Sequence, residues 1–225
     1  MDIEQLTTLS IYMLNDYKNE IEKSALIDCG PRLELVCKCI NISFEHAIAI
    51  NTLFSSNLTI PALTLLRIQF ESVVRAYWLL FVATNSQILK LKFKWTFEEQ
   101  LEKDNYPTVS KMINELNEAN LQFIKHIIQM FLEFKKYHLT HLNSFIHSGK
   151  QAFVRNAVGF NSDFIKILIK QSNNLSALVA QIIFEHSNQK QLIHSLHEKH
   201  IKCFYRIDEV DVKMKKRFDS YKLKD

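Results

Sequence analysis

LTLLRIQFESVVRAYWLLFVA, Leu63–Ala83, is the stretch whose reading decides the fold. It is too long for a strand. Its residues are apolar almost all round, with three charges spaced four apart at Arg67, Glu71 and Arg75. A helix turns about 100° per residue, so positions i, i+4 and i+8 share one face. That face also carries Val74 and Trp78. A helix apolar on nearly every side is expected to be central and buried. Burying charge is costly unless it is paired. Two arginines and one glutamate leave one positive charge in surplus, to be answered by another acid or by a ligand.

Composition extends the helical reading to the whole chain. The 225 residues are 47% hydrophobic, with 3 Gly and 3 Pro. So little Gly and Pro leaves few tight hairpin turns. Abundant Leu, Ile, Phe, Lys, Glu and Gln favour helix. The expected fold is all-α, a single up-and-down bundle of about six to eight helices in one domain over 1–210. A basic tail follows over 211–225, with Lys213, Lys215, Lys216, Arg217, Lys222 and Lys224. The tail reads as a solvated end, or as a weak attraction to nucleic acid or acidic lipid. The start, MDIEQLTTLS, is acidic and polar, unlike a secretory signal. The longest unbroken apolar run, Ala76–Ala83, is far short of a membrane span. A cytoplasmic protein without a membrane segment is expected. Cys29, Cys37, Cys39 and Cys203 suit neither a disulfide framework nor a CxxC metal site.

Periodicity predicts helices over about Asp2–Lys23, Pro31–Phe54, Pro61–Thr84, Gln87–Lys103, Val109–Asn117, Asn120–His147 (straight or kinked), Ser162–His186 and Asn188–Tyr205. Thr59 and the Ser162/Asp163 pair are the expected caps. Lys150–Asn161 reads as irregular. Asn173 and Asn174 fall in the middle of a helix, where they face a polar interior or bend it.

A second distinctive segment is HLNSFIHSGKQAFVRN, His141–Asn156. Asn143 and His147 lie four apart on one face, adjoined by Ser144 and Ser148. Gly149 frees the backbone, and Lys150 and Arg155 follow. The chain has six arginines, at 32, 67, 75, 155, 206 and 217, and three of them fall in these two segments. Arginine is the side chain suited to bidentate contact with carboxylate or phosphate.

At these two segments the chain resembles an uncharacterised bacterial all-helical family, a domain of unknown function. Its patterns are close to LxRxQFExxxRAxWLL, here Leu65–Leu80, and to LNSFVHGG with one or two later arginines, here Leu142–Arg155. The likeness spans roughly Ile40–Glu185. Ser148 stands where a glycine is usual, and Gln151 where a second histidine is expected. More remotely the family resembles the HEPN superfamily of helical bundles, many of them dimeric, metal-independent RNases of toxin–antitoxin or anti-phage systems. The HEPN signature, an Arg followed four to six residues later by a His on one helix, is not present; His147 precedes Arg155.

Two readings follow. In the first, the chain is a HEPN-like defence or toxin protein acting on RNA or a nucleotide, as a metal-independent endoribonuclease. His147 takes a proton from a ribose hydroxyl, Glu71 orients Arg67 or Arg75, and Arg67, Arg75 or Arg155 steadies the phosphate. Asn143, Lys150 and Arg155 help to hold the anion. This reading uses no cofactor and no metal, and expects a homodimer and an antitoxin or defence partner protein. In the second, the chain is a non-enzymatic helical module for an anionic small molecule or a protein. Arg67–Glu71–Arg75 is then a structural ion network and His147 an interior histidine bonded to Asn143. His194, His197 and His200 fan across a helix surface and read as solvated rather than metal-bound. No phosphate-cradling glycine loop, HExxH or nucleophile elbow is present, which removes P-loop ATPases, zincins and α/β-hydrolases.

Overall fold

The computed structural model describes residues 1–26, 30–91 and 107–205, with Thr140 described by its backbone alone. The expected helix over Gln87–Lys103 is described only as far as Leu91. The boundary at 210 and the basic tail lie outside the described residues, as do Cys29, Arg206 and Arg217. Among the described residues the chain is all-α, without strands: α1 Ile3–Lys23, α2 Pro31–Ser55, α3 Thr59–Phe81, α4 Asn85–Leu91, α5 Val109–Glu118, α6 Lys125–Phe134, α7 Thr140–Ile146, α8 Lys150–Val158, α9 Ser162–His186 and α10 Gln191–Lys199. No helix among them is long and apolar enough to cross a membrane.

The ten helices exceed the expected six to eight because the long sixth one is divided into α6 and α7 and an unexpected helix, α8, follows. A 3-10 turn, Gln122–Ile124, opens it, and a π-helical turn, Lys135–Leu139, separates α6 from α7. Lys150–Asn161, read as irregular, contains α8. Asp2 caps α1, accepting from Gln5 N at 2.8 Å while the Gln5 side chain returns a bond to Asp2 N. Pro31 opens α2 at its first turn, where its missing N–H costs nothing. Two predicted caps shift by one residue. Thr59 is the first residue of α3 rather than its cap, and Asn161, not Ser162, caps α9 by accepting from Asp163 N at 2.7 Å.

Helix α3 is the centre of the bundle, packed by α2, α5, α7 and α9. Leu66, Phe70, Val73, Val74, Tyr77 and Trp78 are buried along it. Phe70 stacks on Phe134 at 3.9 Å and meets Phe131 edge-on at 5.8 Å, tying α3 to α6. Gln69 points into α9, donating to Ser172 O at 3.0 Å and accepting from Ser172 Oγ at 2.7 Å. Arg32 of α2 donates to Leu79 O and to Ala83 O, closing the C-terminus of α3 with a positive charge.

Candidate functional site

The charged stripe of α3 lies at the rim of the core rather than within it. Arg67, Glu71 and Arg75 are half-buried, whereas Val74 and Trp78 are 0% and 1% exposed. The expectation of a wholly buried charge surplus is thereby corrected. Long side chains at the seam with α7 keep their heads near water, which removes most of the desolvation cost.

The seam joins the two sequence segments. Arg67 Nη1 donates to Glu71 Oε2 at 2.6 Å, one helical turn on. Arg67 Nε donates to Asn143 Oδ1 of α7, also at 2.6 Å. Glu71 and Asn143 thus clamp two edges of one guanidinium, and both bonds are charge-assisted. Arg67 Nη2 and Asn143 Nδ2 hold no acceptor among the described residues. They remain as donors at the surface, with the guanidinium pinned and its charge balanced by Glu71.

Arg75 stands one turn beyond Glu71 on α3. Its charge acts on Cys39 of α2, whose thiol burial pushes up to about 11 against the opposing pull of Arg75. Trp78, one turn further, donates Nε1–H to Glu115 Oε2 of α5 at 2.6 Å. Arg67 thus joins Glu71 to Asn143 of α7, while Trp78 bonds α5.

His147 closes α7, its N–H bonded to Asn143 O at 3.2 Å. It is exposed, and its imidazole makes no hydrogen bond among the described residues. The interior-histidine reading is corrected accordingly: the helix ends at Ile146 and delivers the ring to water. The turn that follows is built by Ser144. Its carbonyl accepts from Gly149 N at 2.7 Å, and its Oγ accepts from Gln151 N at 3.1 Å, capping α8 from the preceding helix. Lys150 is exposed at the start of α8, and the Arg155 guanidinium lies 5.7 Å from the centre of the Phe160 ring.

The structure brings Arg67, Glu71 and Asn143 into direct contact, with His147 on the same helix as Asn143. Two residues with fixed roles escaped the sequence reading, Gln69 and Glu115, and Ser144 was named there without its capping role. Gln69 stood inside the first motif as a polar residue on an apolar face, which was the available signal; Glu115 carried none. The three histidines near the C-terminus have separate partners. His194 pairs with Glu198 at 3.1 Å, His197 stacks on Phe204 at 4.4 Å, and His200 Nε2 meets Asp16 Oδ2 at 2.7 Å. No cluster of three His, Cys, Asp or Glu that would hold a metal occurs among the described residues.

No curated protein and no solved structure matches this chain. One family model does, over residues 40–206, a span that contains both motifs and the whole Arg67–Asn143 seam. The chain belongs to that family, the family of unknown function DUF6988.

Proposed function

We propose that the protein acts on RNA or a nucleotide, in the manner of a HEPN-like defence or toxin protein, through an anion site at the α3–α7 seam. The observation that carries the reading is the 2.6 Å bond from Arg67 Nε to Asn143 Oδ1, which unites the two motifs. Arg67 Nη2 and Asn143 Nδ2 offer two donors to the non-bridging oxygens of a phosphate. Exposed His147, one turn along α7 from Asn143, takes the proton of a ribose 2′-hydroxyl. The freed oxygen attacks the adjacent phosphorus and the 5′-oxygen leaves. Glu71 keeps Arg67 oriented, and Lys150 and Arg155 extend the positive surface along the strand. The scheme needs no metal.

A homodimer and a protein partner belong to the same proposal. Their support is α8, which packs on α7 and leaves Phe153 and Val158 69% and 71% exposed beside the site. Size-exclusion chromatography with light scattering measures the assembly.

One observation favours the second reading, a non-enzymatic module with a structural Arg67. Two of the three guanidinium nitrogens are already satisfied within the chain. Wild type, Arg67→Ala and His147→Ala separate the two when assayed for cleavage and binding of a single-stranded RNA, with thermal stability measured alongside. The nuclease reading expects His147→Ala to lose cleavage by at least about 100-fold at unchanged stability. It fails if cleavage is absent from wild type or unaltered by both substitutions. The module reading expects no cleavage by wild type, a lowered melting temperature for Arg67→Ala, and unchanged stability and anion binding for His147→Ala.

A further inference from the structure

At the other end of α3, about 20 Å along the helix from Arg67, three helix ends leave a cleft of about 270 Å³. Tyr77 and Phe81 of α3, Phe123 ahead of α6, and Glu185 and His186 at the end of α9 line it. Phe123 is 65% exposed, and its edge meets Phe81 at 5.3 Å. An aromatic ring held in water against a second ring forms a wall, not core. Glu185 Oε1 accepts from Gln181 at 2.8 Å, and no cation pairs with this carboxylate among the described residues. Lys190 and His126 also border the cleft but form no ion pair with it. His186 Nδ1 lies 2.7 Å from Ile182 O and so acts as the donor there; in the neutral ring Nε2 is then the acceptor. The Tyr77 hydroxyl donates to Leu178 O at 3.0 Å, leaving its oxygen as an acceptor. Burial, reinforced by the charge of Glu185, holds that hydroxyl protonated.

We propose that this cleft binds a small organic cation, an ammonium group carried on an aromatic or other apolar body. The exposed Phe123 ring, with Phe81 against it, offers aromatic surface to a cation. Glu185 supplies the counter-charge, and the C-terminal end of α9 adds to the negative potential. Glu185 and His186 Nε2 accept the ammonium hydrogens. The volume lies just below the usual range of ligand pockets, about 300–1,000 Å³, which limits the ligand to one ring or its equivalent. An apolar carboxylate held by Lys190 is the competing ligand chemistry, and it is decided by the same experiment.

Amide chemical shifts of the full chain are followed during titration with phenethylammonium chloride, and separately with 3-phenylpropionate, its anionic counterpart. The expected result is saturable shifts around Phe81, Phe123 and Glu185 with phenethylammonium. Glu185→Gln and Phe123→Ala each weaken binding about tenfold, and Lys190→Gln does not. Both weakening substitutions are at exposed side chains, and unchanged melting temperatures confirm that these variants fold. The proposal is overturned if phenethylammonium gives no saturable shift there, if 3-phenylpropionate binds as tightly, or if Glu185→Gln keeps wild-type affinity.

Discussion

Ser148 adopts φ 49°, a left-handed backbone that a side chain disfavours, while its neighbour Gly149 has φ −79°, open to any residue. The glycine expected to free the backbone is thus not where the freedom is needed. Gly149 serves close approach instead. A Cβ there would stand 2.7 Å from Ser144 Oγ and 3.3 Å from Ser144 O. Ser144 Oγ cannot turn away without leaving Gln151 N, the first-turn donor of α8 that it satisfies. Opposite outcomes follow for adjacent substitutions. Ser148→Gly raises the unfolding free energy by about 0.5–1 kcal/mol. Gly149→Ala lowers it by about 1–2 kcal/mol. Urea denaturation of both variants checks the pair, and equal signs would refute the assignment. Much of the site was legible at this scale. The Arg67–Glu71 bond is an i, i+4 contact, visible as spacing alone. The Arg67–Asn143 bond joins residues 76 apart; the first reading placed both at one anion site, but spacing alone could not show their direct contact.

At the scale of elements, the same physics explains which helices periodicity revealed. The run through Lys135–Leu139 keeps helical spacing of its apolar residues, so the extra residue of a π turn there is invisible in the pattern. Helix α8 was missed for the opposite reason. Phe153, Val154 and Val158 point outward and only Ala152 is buried, which leaves no apolar stripe to detect. The π turn carries a titratable consequence. His138 lies within it, in contact with Phe134, their ring centres 5.0 Å apart. Burial, with the nearby charge of His141, lowers its pKa from 6.5 to about 4. The folded state therefore refuses a proton that the unfolded chain accepts between these values. Stability from this group is complete above about pH 6.5 and is lost as pH falls toward 4. Wild type is expected to lose about 1–2 kcal/mol more than His138→Gln between pH 7 and pH 5, by urea denaturation at each pH. His46 and His197, also lowered by burial, are common to both proteins and cancel in the comparison. Identical pH profiles would show that the ring titrates normally.

The whole molecule is closed by one buried amide. Asn173, midway along α9, is 0% exposed. Its Nδ2 donates to Ser10 Oγ of α1 at 2.7 Å and to Cys203 O, in the 3-10 turn Ile201–Cys203, at 2.9 Å. One side chain of α9 thereby joins the first helix to the last described turn. Tyr17 and Phe204 pack edge-on beside it at 6.4 Å, and Lys199 and His200 hold Asp16 at 2.6 and 2.7 Å. The polar-interior alternative for this asparagine holds, and α9 runs unbroken past it. Removing the amide leaves the Cys203 carbonyl and the Ser10 hydroxyl short of a donor in a dry setting, and it opens a cavity. The cost of such an unsatisfied group exceeds the net gain of a satisfied one. Asn173→Ala is expected to lower the unfolding free energy by about 2–3 kcal/mol. Ser10→Ala, which removes one acceptor and leaves the Cys203 bond, costs about 1 kcal/mol. Asn174→Ala, half-buried at the next position, stays within about 0.5 kcal/mol of wild type. Hydrogen exchange adds a spatial readout: with Asn173→Ala, protection falls in α1 and around Cys203, while the amides of the α3–α7 seam keep theirs. Uniform loss across the bundle would mean instead that the amide supports the core as a whole and does not tie the two ends.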